Sequence, residues 1–167
     1  MLPIIHYEMD PNSAPQESMP IHALTGLYRW WVGRQRLLEE IARADRFDQS
    51  FAVVVLEPAD LVEEQTPEIY GLAGRALRRA IRIYDFAAQY DDARFVALLP
   101  GADREGARAA CKRLLAELRS ASMPQVRWRG ALATYPEDGT TPNELLDRAL
   151  ITLRRGRLES ATKLPVA

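Results

Sequence analysis

The run Ser50-Phe51-Ala52-Val53-Val54-Val55-Leu56-Glu57-Pro58 is apolar and β-branched until it reaches a carboxylate, the pattern of a strand buried on both faces. It predicts the central strand of a sheet. Before it, Leu27, Trp31, Leu37, Leu38, Ile41 and Ala42 recur at helical spacing and predict an amphipathic helix over 27–47. After it, Pro67 and Glu68 open a second helix expected to run to 82. Two short apolar runs, 85–90 and 94–99, flank Asp91-Asp92-Ala93 and predict a β-hairpin with an acidic turn. A helix over 103–120 carries Ala107, Ala110, Leu114, Leu115 and Leu118 on one side. A strand over 126–135, the turn Pro136-Glu137-Asp138-Gly139 and a helix to 157, capped by Thr141 or Asn143, complete the pattern. Strands that alternate with helices but include a direct hairpin imply a mixed sheet covered by helices.

The 167 residues, 47% of them hydrophobic, suit one domain with its own core. Residues 1–21, with Pro3, Pro11, Pro15 and Pro20 among polar positions, read as a flexible arm, residues 22–160 as the domain, and 161–167 as a tail. The N-terminus turns polar by Glu8 and has no basic leader, so no signal peptide or membrane span is expected and the location expected is cytoplasmic. A net charge of −1 supplies no field for nucleic acid or an acidic membrane. The single cysteine, Cys111, cannot form an internal disulfide and is expected to be a small core residue. Adjacent Trp30 and Trp31 point about 100° apart on a helix, so one is expected in the core and the other at its edge, where it could meet a partner.

Leu24-Thr25-Gly26-Leu27 resembles the motif that opens the GGDEF family of bacterial diguanylate cyclases, and Ala133 to Gly139 is similar to the family's late strand and turn. Gln89-Tyr90-Asp91-Asp92-Ala93-Arg94-Phe95 occupies the frame of the family's Arg-Tyr-Gly-Gly-Asp-Glu-Phe hairpin. The resemblance spans 24–157 and implies a five-stranded central sheet flanked by helices, an α/β fold like the palm of nucleotide cyclases and polymerases. In active members, carboxylates from the first strand and the hairpin hold Mg²⁺ while two GTP are joined. Here the strand keeps Glu57, whereas the hairpin positions are Ala93 and Arg94.

The resemblance therefore implies a degenerate signature, Asp91, Asp92, Ala93, Arg94 and Phe95, with no metal cage, no cofactor and no cyclase activity. Where the family's glycines let backbone approach phosphate, Asp91 and Asp92 add two charges. Each would cost roughly 1 kcal/mol in water, or about 4 at an effective dielectric of 20, at 4 Å from a phosphate oxygen. GTP is expected to be excluded. The segment 58–65 lacks the family's Phe-Lys and Asn-Asp, His22 stands for its early Asp, and Arg157 for its late phosphate-contacting lysine.

Arg82-Ile83-Tyr84-Asp85 matches the family's inhibitory Arg-x-x-Asp, five residues ahead of the hairpin turn. The match implies that Arg82 and Asp85 bind the guanines of cyclic di-GMP, with Arg78 and Arg79 adding charge for its phosphates. Arg82 could instead cap helix carbonyls or pair with Asp85. Three functions compete: an inactive cyclic di-GMP receptor in bacterial signal transduction, a nucleotide-free protein-interaction scaffold, and a metal-dependent cyclase rebuilt from Glu57, Asp60, Asp91 and Asp92. A protein partner or a second copy of the chain is the assembly expected, and neither nucleic acid nor membrane. His6 and His22 lie beside no nucleophile, so hydrolysis by a general base is not expected.

Overall fold

The computed structural model describes residues 19–60, 66–121 and 126–162. The elements are β1 (Tyr28–Arg29), α1 (Trp30–Phe47), β2 (Phe51–Pro58), α2 (Thr66–Ala80), β3 (Phe86–Gln89), β4 (Phe95–Pro100), α3 (Arg104–Ala121), β5 (Trp128–Tyr135) and α4 (Pro142–Thr162). One five-stranded mixed sheet runs in the order β1-β3-β4-β2-β5. The β1–β3 pair is parallel and the others are antiparallel.

All eight residues of β2 are buried, because helices cover both faces of the sheet. Ala52, Val54 and Leu56 join a core with Ile69, Ala73 and Leu77 of α2 and Ala107, Leu114 and Leu118 of α3. Phe51, Val53 and Val55 face the opposite core, with Leu37 and Ala44 of α1 and Leu145, Ala149 and Leu153 of α4. Period-two alternation thus divides one apolar run between two helix layers. Cys111 is buried in the first of these cores.

Four boundaries differ from the sequence expectation. Tyr28 and Arg29 are strand rather than helix, registered against Ala88 and Gln89; the aromatic run 27–31 suits either state locally, and ladder bonds to β3 decide it. Gly26 makes the preceding turn with φ +67°, a conformation that glycine adopts freely. Ile21, assigned to the arm by sequence, bridges Tyr28, and Arg29 N–H donates to the Pro20 carbonyl at 2.8 Å. Helix α2 stops at Ala80 rather than 82, and α4 continues to Thr162, past the expected 157 and into the expected tail. The rest of the arm and of the tail lies outside the described residues.

Gly74 of α2 allows helix and motif to touch, since a Cβ there would lie 2.3 Å from the Thr25 carbonyl oxygen. Trp30 packs against the α1–α4 core and meets Tyr90 edge-on at 5.0 Å between centroids, while Trp31 is 56% exposed. Thr141 is the cap of α4: its Oγ1 accepts Glu144 N–H at 3.3 Å, and Glu144 Oε2 accepts Thr141 N–H at 3.2 Å, a reciprocal capping box. No described helix is long and apolar enough to cross a membrane.

A polar knot ties α3, β5 and α4 together. Asp138 accepts Thr134 N–H at 2.8 Å and Arg104 Nη2 at 2.7 Å, with Arg148 Nε at 3.6 Å. Burial pushes the Asp138 carboxyl pKa up, but these hydrogen bonds from Thr134 and Arg104 outweigh it and hold the carboxyl below its ordinary value. A depressed folded pKa contributes stability that is present above the unfolded value and lost as pH falls through the folded one. Asp138→Ala is expected to lower unfolding free energy by about 1.5–3 kcal/mol at neutral pH, read by urea denaturation. The gap from wild type should narrow as pH drops below about 4.

Candidate functional site

The β3–β4 hairpin closes on itself through one carboxylate. Asp91 Oδ1 accepts the N–H groups of Ala93 at 2.9 Å and Arg94 at 2.8 Å. Its Oδ2 accepts Arg94 Nε at 2.8 Å and pairs with Arg94 Nη2. The Arg94 guanidinium lies 5.3 Å from the Tyr90 ring centroid, and its hydrogen bond to Asp91 raises its pKa further. From α2, Tyr70 donates to the Ala93 carbonyl at 3.0 Å and so holds the tip from the sheet side. Burial, with the charge of Asp91 behind it, pushes the Tyr70 phenol pKa up, so that it stays a donor.

Under the tip lies a cavity of about 280 Å³ lined by Glu57, Ala93, Arg94, Leu150, Leu153 and Arg154. Its lining differs in charge from the acidic turn above it. Neither Asp91 nor Asp92 is among the lining residues, whereas two arginines are. Asp91 turns inward onto its own loop because two backbone donors and a guanidinium lie within reach there.

Glu57, 4% exposed, pairs with Arg129 Nη2 at 3.2 Å across the β2–β5 ladder. Asp60 pairs with Arg127, away from the cavity's lining. Mg²⁺, which the resemblance implies, does not fit these residues: Ala93 offers no donor, Arg94 brings a cation, and Glu57 is shared with Arg129. Among the described residues no group of three His, Cys, Asp or Glu side chains could hold a metal ion.

The Arg82–Asp85 segment forms a tight turn between α2 and β3. Asp85 Oδ2 accepts Arg82 N–H at 2.9 Å, and Asp85 N–H donates to the Arg82 carbonyl at 3.0 Å. The carboxylate, not the guanidinium, caps this turn, which leaves the Arg82 side chain exposed and without an ion pair to any described residue. Ile83 and Tyr84 project at its tip, 91% and 82% exposed.

A cavity of about 400 Å³ opens beside the turn, lined by Arg82, Asp85, Pro100 at the end of β4, the β4–α3 loop residues Gly101 to Asp103, and Arg113 of α3. Arg113 Nε is buried with no acceptor among the described residues. Asp103 is engaged as a cap, its Oδ1 accepting Gly106 N–H at 2.7 Å. Two guanidiniums and two partly used carboxylates therefore line a single opening.

Of the other two predicted arginines, Arg78 lies against Gly26, whose Cβ would come within 2.9 Å of its Nη1. It lines a separate 140 Å³ cavity that shares Asp85. Arg79 is exposed and lines none of these cavities. The sequence reading missed Arg113 and Arg154. Neither carried a local signal, because each meets its neighbours across a cavity from elements distant in sequence. The Arg157 side chain lies outside the described residues.

A family model described as "GGDEF-like domain" matches residues 46–150, more than half of the chain. The chain belongs to the GGDEF-like family. Solved structures agree on the fold. A sensory box/GGDEF family protein from Caulobacter crescentus superposes with a TM-score of 0.72 at 22% identity, covering 84% of this chain and 99% of that one. The GGDEF domain of DgcB from Caulobacter crescentus, in complex with c-di-GMP, gives 0.74 at 14% identity, covering 84% and 89%. Diguanylate cyclase SiaD from Pseudomonas aeruginosa, in complex with its activator SiaC, gives 0.74 at 21% identity, covering 89% and 62%. No curated protein sequence matches the chain.

Within this GGDEF-like domain, the hairpin cavity makes a direct prediction about metal. Millimolar Mg²⁺ should leave the thermal midpoint unchanged in scanning fluorimetry, because a cation that does not bind the folded state cannot stabilise it. A clear upward shift that disappears in Glu57→Gln would show a cation held there after all.

Proposed function

We propose that this GGDEF-like domain is catalytically inactive and acts as a cyclic di-GMP receptor through the cavity beside the Arg82–Asp85 turn. The observation that carries the reading is the convergence of Arg82, Asp85 and Arg113 on one opening of about 400 Å³, with a buried Arg113 Nε that lacks an acceptor among the described residues. An unmatched buried donor is costly, and a phosphate or base edge would satisfy it. The guanidinium fork pairs with phosphate oxygens or with a purine edge and stacks on rings. Asp85 Oδ1, left over from the turn, can accept from the N–H edge of guanine. Complex formation with c-di-GMP by the DgcB domain, which shares the fold, supports the choice of ligand.

Charge-assisted contacts contribute about 1.5–3 kcal/mol each, and micromolar affinity needs about 8 kcal/mol, so several groups must act together. Calorimetry with cyclic di-GMP should give a dissociation constant in the micromolar range, weakened at least about tenfold by Arg82→Ala and by Arg113→Ala. Silence at about 100 μM ligand, or indifference to both substitutions, would leave the nucleotide-free scaffold as the better reading. That alternative has its own support in Ile83 and Tyr84, two large apolar side chains held out at the turn's tip.

Inactivity rests on the hairpin. With Ala93 and Arg94 at the carboxylate positions and Glu57 tied to Arg129, nothing in the cavity can bring a metal to a triphosphate. Incubation with GTP and Mg²⁺ or Mn²⁺ should yield no cyclic di-GMP by chromatography; product that vanishes in Glu57→Ala would refute this.

A further inference from the structure

The α2–β3 turn holds out two adjacent apolar side chains that the core does not use. Ile83 is 91% and Tyr84 82% exposed, because the backbone beneath them is closed by the Asp85 carboxylate and the Arg82 carbonyl. The cations around them have no internal partners. Arg78 and Arg79 end α2, Arg82 opens the turn, and Arg113 reaches the neighbouring cavity from α3; none forms an ion pair with any described residue. The nearby carboxylates Asp85 and Asp103 each give one oxygen to a backbone N–H. On the other flank, Ile83 and Tyr84 wall a groove of about 330 Å³ against α1, where the charges cancel as the pairs Arg36–Glu39 and Arg43–Glu40. A net charge of −1 averages over the whole chain and conceals this local excess of positive charge.

We propose that this tip docks the domain on the surface of an anionic lipid bilayer, with Ile83 and Tyr84 entering the interface and the surrounding arginines meeting its headgroups. Two projecting side chains on a tight turn suit a bilayer, which yields to a convex tip, whereas a folded partner must offer a matching hollow. Tyrosine favours that depth because its ring is apolar and its hydroxyl stays wet. Each arginine near an anionic surface strengthens partitioning roughly fivefold, and Arg78 and Arg79 also offset the negative end of α2. Two apolar side chains alone bury too little surface to hold a domain on a neutral bilayer, so charge and insertion act together. Ile83 and Tyr84 do not line the 400 Å³ cavity assigned to cyclic di-GMP, and the proposal does not rest on that reading.

The test is co-sedimentation of the full chain with phosphatidylcholine vesicles, either pure or containing about 30% phosphatidylglycerol, at about 0.1 M salt. The chain should partition onto the anionic vesicles at least about tenfold more strongly than onto the neutral ones. Replacing both prongs, Ile83→Ser with Tyr84→Ser, should lower that partitioning at least about tenfold, and Arg79→Glu at least about fivefold. All three positions are exposed, so the variants should keep the wild-type thermal midpoint. The double variant should leave the cyclic di-GMP titration unchanged, so the two readings stand or fall separately. Absence of binding to anionic vesicles, equal binding to both vesicle types, or indifference to the double variant and to Arg79→Glu would overturn the proposal. A soluble dimer that the double variant dissociates, with no vesicle binding, would assign the tip to a second copy of the chain instead.

Discussion

Burial of β2 on both faces is the constraint from which the architecture follows. Phe51, Val53, Val54, Val55 and Leu56 are all 0% exposed, and each such side chain contributes about 1.5–3 kcal/mol relative to leaving it in water. That burial requires strands on both edges of β2 and helices above and below, because backbone groups and side chains must both leave water together. β4 and β5 supply the edges; α2 with α3, and α1 with α4, supply the layers. Glu57 lies at the end of this run, where the strand leaves the core. Its carboxylate is therefore partly desolvated, and Arg129 on the neighbouring strand answers it.

The hairpin separates what keeps its frame from what shapes its tip. Its frame is kept by Phe95, which is fully buried, meets Tyr70 edge-on and stacks near Trp128. Its tip needs only a turn, and Asp91 makes one by satisfying two backbone donors and one guanidinium. Once Asp91 is spent in this way, the cavity beneath is governed by Arg94 and Arg154 rather than by the acidic pair. A carboxylate's formal charge says little about a pocket until its direction is known.

The turn between α2 and β3 makes the same distinction in the opposite sense. Asp85 spends one oxygen on the backbone, and this frees Arg82 from the structural work it could have done. Arg113 then meets it from α3, across a cavity that exists because the β4–α3 loop passes beside the turn. Both cavities depend on the same sheet, since β3 and β4 connect one at each end of the hairpin.

The sequence by itself determined the elements and the family. A continuous β-branched run can satisfy its burial only as a central strand, and apolar residues three and four apart can share one side only on a helix. The hairpin frame and Arg-x-x-Asp were legible for the same reason: short-range spacing is a property of the chain. The two-residue β1 was not legible, because Tyr28 and Arg29 become strand only by pairing with β3. Nor were Arg113 and Arg154, whose importance comes from elements distant in sequence. The direction of Asp91 was decided by hydrogen-bond geometry at the tip, which composition does not encode. Local periodicity is written along one dimension. The sign of a cavity is a sum over side chains that only folding brings together.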